Sequence, residues 1–209
     1  MPPPRACRRR PWREAPLVAL DFETTGLDLR RDSVVSFGAA PVDGGRVVLG
    51  SSVYLEVAPT SPLSHESITI HHLRPIDLDG AEGLDDARAA LAAALDGRYL
   101  LVWVAEIETH FLARLFHTRR ARWTRRAVDV ARLHLAFDRL SRDAVRPRLP
   151  SLSEAAARHG VPVEDAHHAL DDAVMTAELF IVLATKLEAF GYRTLRSYLH
   201  GGRSRWGFG

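Results

Sequence analysis

Lysine is nearly absent from this chain. Lys186 is the only one among 209 residues, so arginine carries almost all the positive charge. Cysteine is as scarce. Cys7 alone excludes a disulfide framework and a thiolate zinc site, and it fits a reducing, cytoplasmic setting. No apolar run is long enough to span a membrane. The first residues carry arginines and prolines with no apolar stretch behind them, which makes a poor signal peptide. There is no internal repeat and no inner linker. The formal net charge is only +2, so overall charge does not point strongly to any partner. A hydrophobic fraction of 46% excludes wholesale disorder, and the length suits one globular domain with a sizeable core.

Three acidic fragments stand out within that domain. The first is Asp21-Phe22-Glu23-Thr24-Thr25-Gly26-Leu27, which follows the apolar run Pro16-Leu17-Val18-Ala19-Leu20. The pattern predicts a buried strand that ends in a polar site. Alternation places Asp21 and Glu23 on one face and Phe22 on the other. Two neighbouring carboxylates repel unless a cation sits between them. Gly26 permits a sharp exit from the strand.

The second fragment, Glu106-Ile107-Glu108-Thr109-His110-Phe111-Leu112, follows another apolar run, Tyr99-Leu100-Leu101-Val102-Trp103. It reads as a helix over 106–116 with Ile107, Phe111, Leu112 and Leu115 on its apolar side. Glu106 and Glu108 face different ways on such a helix.

The third, His167-His168-Ala169-Leu170-Asp171-Asp172, opens a helix over 166–187, stopped by Gly191. His168 lies four residues before Asp172 and would share its helical face. His167 lies roughly 140° away on a regular helix and reaches the same site only from a movable loop before the first turn. Spacing alone favours His168. Four carboxylates drawn from distant parts of a chain suit two hard divalent cations, and two such ions suit phosphodiester cleavage.

Asp-Phe-Glu-Thr-Thr-Gly-Leu resembles the first motif of the DEDDh 3′–5′ exonucleases, the family that includes the proofreading epsilon subunits of bacterial replicative polymerases. His167-x-Ala169-x-x-Asp172 resembles the third motif. The resemblance spans about residues 16–191. It implies a ribonuclease-H-like fold, a mixed sheet flanked by helices, and two magnesium or manganese ions held by Asp21, Glu23, Glu108 and Asp172. It implies His167, rather than His168, as the general base. Thr24, Gly26 and Leu27 would lie against the last nucleotide. The middle motif departs from the family. Anchoring on Phe111-Leu112 puts Glu108 where an aspartate is usual, with Glu106 as its rival, and Trp103 and Val104 replace the usual His-Asn pair.

The expected activity is stepwise release of nucleoside 5′-monophosphates from 3′ ends of single-stranded or frayed DNA, in proofreading or repair. An RNA-trimming exonuclease is one alternative, since both nucleic acids share the phosphodiester chemistry. A non-catalytic nucleic-acid-binding module with a decayed second motif is another. The resemblance brings a polymerase into view as a partner, although no helix or tail reads as an anchor for one.

Residues 1–14, with Arg5, Arg8, Arg9, Arg10 and Arg13 among prolines, read as a disordered basic arm. The resemblance implies an exonuclease domain over residues 15–191, and 192–209 reads as a short extension with exposed Trp206 and Phe208. Arg119, Arg120, Arg122, Arg125 and Arg126 surround Trp123, and Arg139, Arg142, Arg146 and Arg148 sit in a proline-containing loop. Residues 33–42 and 47–57 read as two strands joined at Asp43-Gly44-Gly45-Arg46, making a three-strand antiparallel start. Helices are expected over 85–95 and, opened by a Ser151–Glu154 capping box, over 151–160, with a short strand over 127–130.

Overall fold

The computed structural model describes residues 2–26, 28–141, 149–163 and 167–199. A single sheet organises it. Strand β1 (Leu17–Thr24) pairs antiparallel with β2 (Val34–Asp43), with Asp21 opposite Gly38. β3 (Arg46–Val47) and β4 (Val53–Glu56) share the outer edge of β2. On the other side β5 (Tyr99–Val102) runs parallel to β1, and β6 (Ala127–Asp129) runs parallel to β5. The single strand expected over 47–57 is broken by a 3-10 turn at Leu49–Ser51, where Leu49 faces solvent. With that difference, the mixed ribonuclease-H-like sheet is the one expected.

The strand period divides the core in two. Leu17 and Ala19 pack on one face, among α5 (Val130–Ser141), α6 (Leu152–Arg158), α7 (Ala169–Leu187) and α8 (Leu195–Leu199). Val18, Leu20 and Phe22 pack on the other, with α2 (Leu84–Ala94), α3 (Ala105–Leu115) and α4 (Arg120–Thr124). Continuing the alternation puts Asp21 and Glu23 on the α7 side. A short helix, α1 (His65–His71), was not anticipated. Ser64 caps it by accepting a hydrogen bond from the Ser67 amide at 2.9 Å. The capping box of α6 is present in both directions, Ser151 N–H to Glu154 and Glu154 N–H to Ser151 Oγ.

Gly38 sets the height of α7 above the sheet. A Cβ at that position would lie 2.2 Å from the carbonyl oxygen of Ala169, the first residue of α7. Only glycine lets the helix start rest on β2 beside Asp21. The long buried face of α7, from Ala169 through Leu187, then covers β1 and β2.

The arm expected to be disordered is packed instead. Trp12 is fully buried, edge-to-face with Phe180 at 5.3 Å, and its indole N–H donates to Glu188 at 2.7 Å. Cys7 is buried as well. Pro11 bridges Thr194, and the Leu195 amide donates to the Arg10 carbonyl at 3.1 Å. Arg5, Arg9, Arg10 and Arg13 are exposed while Arg8 is half-buried and Trp12 anchors the segment, and the burial of one large ring outweighs the polar composition. The start of the expected extension is core too: Tyr192, Leu195 and Tyr198 are buried, and the Tyr198 hydroxyl donates to the Tyr192 carbonyl at 2.5 Å. Trp206, Phe208, Arg142, Arg146 and Arg148 lie outside the described residues. No described helix is long and apolar enough to cross a membrane.

Candidate active site

The carboxyl end of β1 carries Asp21 and Glu23. The first turn of α3 carries Glu108, and the first turn of α7 carries Asp172. All four line one cavity of about 420 Å³ together with His167, Thr24 and Gly26. A distant cap fixes the start of α3. Val104 offers no capping side chain to α3, so Asp129 at the end of β6 accepts the Ala105 amide through Oδ2 at 3.2 Å. α7 begins at Ala169, three residues later than the periodicity predicts, and His167 therefore falls outside the helix.

His167 adopts a left-handed backbone conformation, φ 72°, which is uncommon for a non-glycine residue. Its N–H donates to Asp172 Oδ2 at 3.2 Å, which ties the turn to the helix. Glu23, His167 and Asp172 each present a ligand atom within 4.8 Å of the others. His168 goes elsewhere. It occupies the position preceding α7, its ring stacks on Tyr54 at 4.4 Å, and Nδ1 lies 2.9 Å from Asp171 Oδ2. Glu106 is exposed and pairs with Arg120 at 3.4 Å, whereas Glu108 is buried in the cavity.

The electrostatics are those of crowded negative charge. Burial, then the fields of Glu23, Glu108 and Asp172, hold the Asp21 carboxyl well above its usual range. Burial, and then Asp172, pushes Glu23 up to about 8. Glu108 is also pushed up to about 8, chiefly by burial, with Asp129 adding to the shift against a lowering backbone hydrogen bond. Burial raises Asp172, and the His167 amide partly offsets it. Glu108 Oε2 is buried with no hydrogen-bond partner. Four carboxyls that repel one another, one with an orphaned oxygen, fit hard divalent cations, whose charge favours the ionised forms.

The first motif has a more specific geometry than its glycine suggests. Gly26 is needed for space: a Cβ there would lie 2.5 Å from Asp32 Oδ2. Asp32 in turn accepts the Thr25 hydroxyl at 2.9 Å, and the Thr24 hydroxyl donates to the Gly26 carbonyl at 2.8 Å. Leu27 lies outside the described residues.

Two residues were missed by sequence reasoning, one lining this cavity and one capping α3 beside it. His71, at the end of α1, lines the cavity and is buried. Its Nδ1 accepts the Leu73 amide at 3.1 Å, and its Nε2 has no hydrogen-bond partner. Burial holds its pKa below the usual histidine value. The Ser64 cap was the available signal, but seven residues are too few for a clear period. Asp129 was passed over because a single aspartate after a short apolar run is common.

The exonuclease family pattern, RNase_T, matches residues 18–180. The chain belongs to this exonuclease family. Relatives include the PolC-type DNA polymerase III of Thermotoga maritima, 26% identical over 184 residues, which make up 87% of this chain and 13% of that protein. The DNA polymerase III subunit epsilon-like protein of Rhodobacter capsulatus is 27% identical over 199 residues, 93% of this chain and 27% of that one. The chain thus spans a minor part of the relatives it matches. Among solved structures, E. coli Exonuclease I in complex with a dT13 oligonucleotide superposes with a TM-score of 0.73 at 16% identity, over 85% of this chain and 43% of that one. Cell-death related nuclease 4 gives 0.69 at 15% identity, over 87% and 67%. At such identities the shared property is the fold of the exonuclease family.

Proposed function

We propose that this member of the family is a metal-dependent 3′–5′ exonuclease that shortens single-stranded or frayed DNA and releases nucleoside 5′-monophosphates. The observation that carries the proposal is the convergence of Asp21, Glu23, Glu108 and Asp172 in one cavity, with a buried oxygen of Glu108 left unpaired. Those four carboxylates would hold two magnesium or manganese ions. When bound, the ions supply Lewis-acid polarisation of the phosphate and a more acidic water.

The chain's own groups do the rest. His167, exposed at the rim beside Asp172, takes the proton of the attacking water. The water oxygen bonds to phosphorus, the bond from phosphorus to the 3′ oxygen of the preceding nucleotide breaks, and that oxygen leaves on the shortened strand. The backbone from Thr24 to Gly26, fixed by the Thr24 hydroxyl and by Asp32, bears on the terminal nucleotide. Trp103 and Val104 line the cavity where the family has a polar pair, and they offer apolar contact to a base or sugar. The oligonucleotide held by Exonuclease I supports a single-stranded DNA substrate, and the polymerase III relatives support work alongside a polymerase. Burial of Glu108 among the other carboxyls weighs against a decayed binding module.

The test is a time course on 5′-labelled and 3′-labelled single strands of DNA and RNA with magnesium or manganese. A 5′-labelled DNA strand shortens as a ladder, and chelator stops it. Internal cuts with an intact 3′ end, or no cleavage with either ion, overturn the proposal. Equal or better trimming of RNA moves the substrate class.

A further inference from the structure

A second cavity, of about 360 Å³, lies on the other side of the first turn of α3. Ala105, Glu106 and Thr109 face it, whereas Val104, Ile107 and Glu108 face the carboxylate cavity. The carboxylate cavity opens at the carboxyl ends of β1 and β5, and the second runs along β6, the edge strand of the sheet, from Ala127 to Asp129. The two cavities are neighbours: Asp129 lines the second and accepts the amide of Ala105 at the start of α3, whose Glu108 lines the first.

Their charges are opposite. Arg8, Arg120, Arg125 and Arg132 line the second cavity against only Glu106 and Asp129. The two acids are already paired, Glu106 with Arg120 at 3.4 Å and Asp129 with Arg132 at 3.5 Å. Arg8 reaches in from the packed N-terminal segment. One of its terminal nitrogens donates to the Arg125 carbonyl at 2.8 Å, and its Nε is buried with no hydrogen-bond partner. Arginines gathered from three separate elements around one concavity, with a surplus of positive charge, suit phosphate oxygens. The width of a helix with its side chains, about 10 Å, separates the two cavities. That is about three nucleotides of a stacked strand at about 3.4 Å each.

We propose that this arginine cavity is a backbone subsite. It holds the phosphates of a single strand about three nucleotides upstream of the 3′ end that enters the carboxylate cavity. The inference rests on the proposed exonuclease reading for its polarity, and on the geometry above for its place. The subsite keeps the strand attached while its terminal nucleotide is exchanged, and it reads charge rather than sequence.

The test compares the parent protein with the combined variant Arg120→Gln, Arg125→Gln, Arg132→Gln, leaving Arg8 and its packing intact. Binding of 5′-labelled oligothymidylates two and twelve nucleotides long is followed by fluorescence anisotropy in EDTA across a salt series. The expected result is a tenfold or greater loss of affinity for the dodecamer and little change for the dinucleotide. The slope of log affinity against log salt should become shallower by about 2, at about 0.7 for each phosphate that an arginine no longer neutralises. Unchanged dodecamer affinity and slope overturn the proposal. So does an equal loss for both lengths, which would place the terminal nucleotide in the arginine cavity. If the parent protein binds the dodecamer through these arginines yet degrades no strand, the catalytic reading fails and the arginine cavity stands as a phosphate-binding site without its polarity.

Discussion

Asp21 and Glu23 were readable because strand alternation and a preceding buried run leave little choice of face. His167 was less so, since helical spacing favours His168. The later start of α7 explains the outcome: outside the helix the turn is governed by the Asp172 hydrogen bond and a left-handed φ, neither of which shows in a periodicity. Asp21→Asn or Asp172→Asn removes a charge from the cluster, and each should cost orders of magnitude in nuclease rate while the protein stays folded. A folded variant with near-parent rate removes that residue from the site. His167→Ala should slow hydrolysis by roughly a hundredfold, the range for a general base. His168→Ala should do much less, because its ring is spent on Tyr54; rates of both across pH decide between them. Glu108→Gln should abolish most activity and Glu106→Gln leave most of it, since one is buried in the cavity and the other sits outside it with Arg120. The reverse pattern would show the middle motif to be misaligned.

Most elements follow from pattern: the strands at 17–24 and 99–102, the helices at 84–94 and 105–115, and the Ser151–Glu154 box. What escaped was short or held from afar. α1 has seven residues, and α3 is capped by Asp129 from another strand, a partner no local window contains. The seat of α7 on Gly38 is likewise a contact between distant segments. Gly38→Ala should be destabilising by about 1–3 kcal/mol, because the added methyl meets backbone and not a movable side chain. It should lower activity as well, since lifting the start of α7 moves Asp172 away from Asp21. Denaturant unfolding and rate on the same sample test it; a neutral substitution would mean that the helix start yields freely.

Across the whole molecule, the carboxyl cluster links stability to pH. Glu23 and Glu108 titrate near 8 when folded, against 4.5 as their ordinary value. Raised folded values mean that their stabilising contribution is full below about 4.5 and is lost as pH rises through about 8. The metal-free protein should therefore lose melting temperature over that window. Manganese should raise it more at pH 8 than at pH 5, because only ionised carboxylates bind the ion. Thermal melts with and without manganese at the two pH values check this, and an ion effect independent of pH would count against the cluster as the binding site. The misread arm belongs to this scale as well. Five arginines among prolines concealed one tryptophan, and its fit against Phe180 and Glu188 is visible only once α7 is in place.

The bridge between Pro11 and Thr194 has a consequence for how such a domain can be used. Residues from near the two ends of the described chain meet side by side, so the fold is almost a closed ring. A ring of this kind can be spliced into a loop of a larger polypeptide without prising the host apart, because the points of attachment need be only a few ångströms from each other. The same closeness makes circular permutation feasible: joining the ends with a short linker and opening the chain elsewhere should preserve the carboxylate cavity. That modularity suits a sequence pattern that recurs as 13% of a polymerase in one relative and 27% of an epsilon-like protein in another.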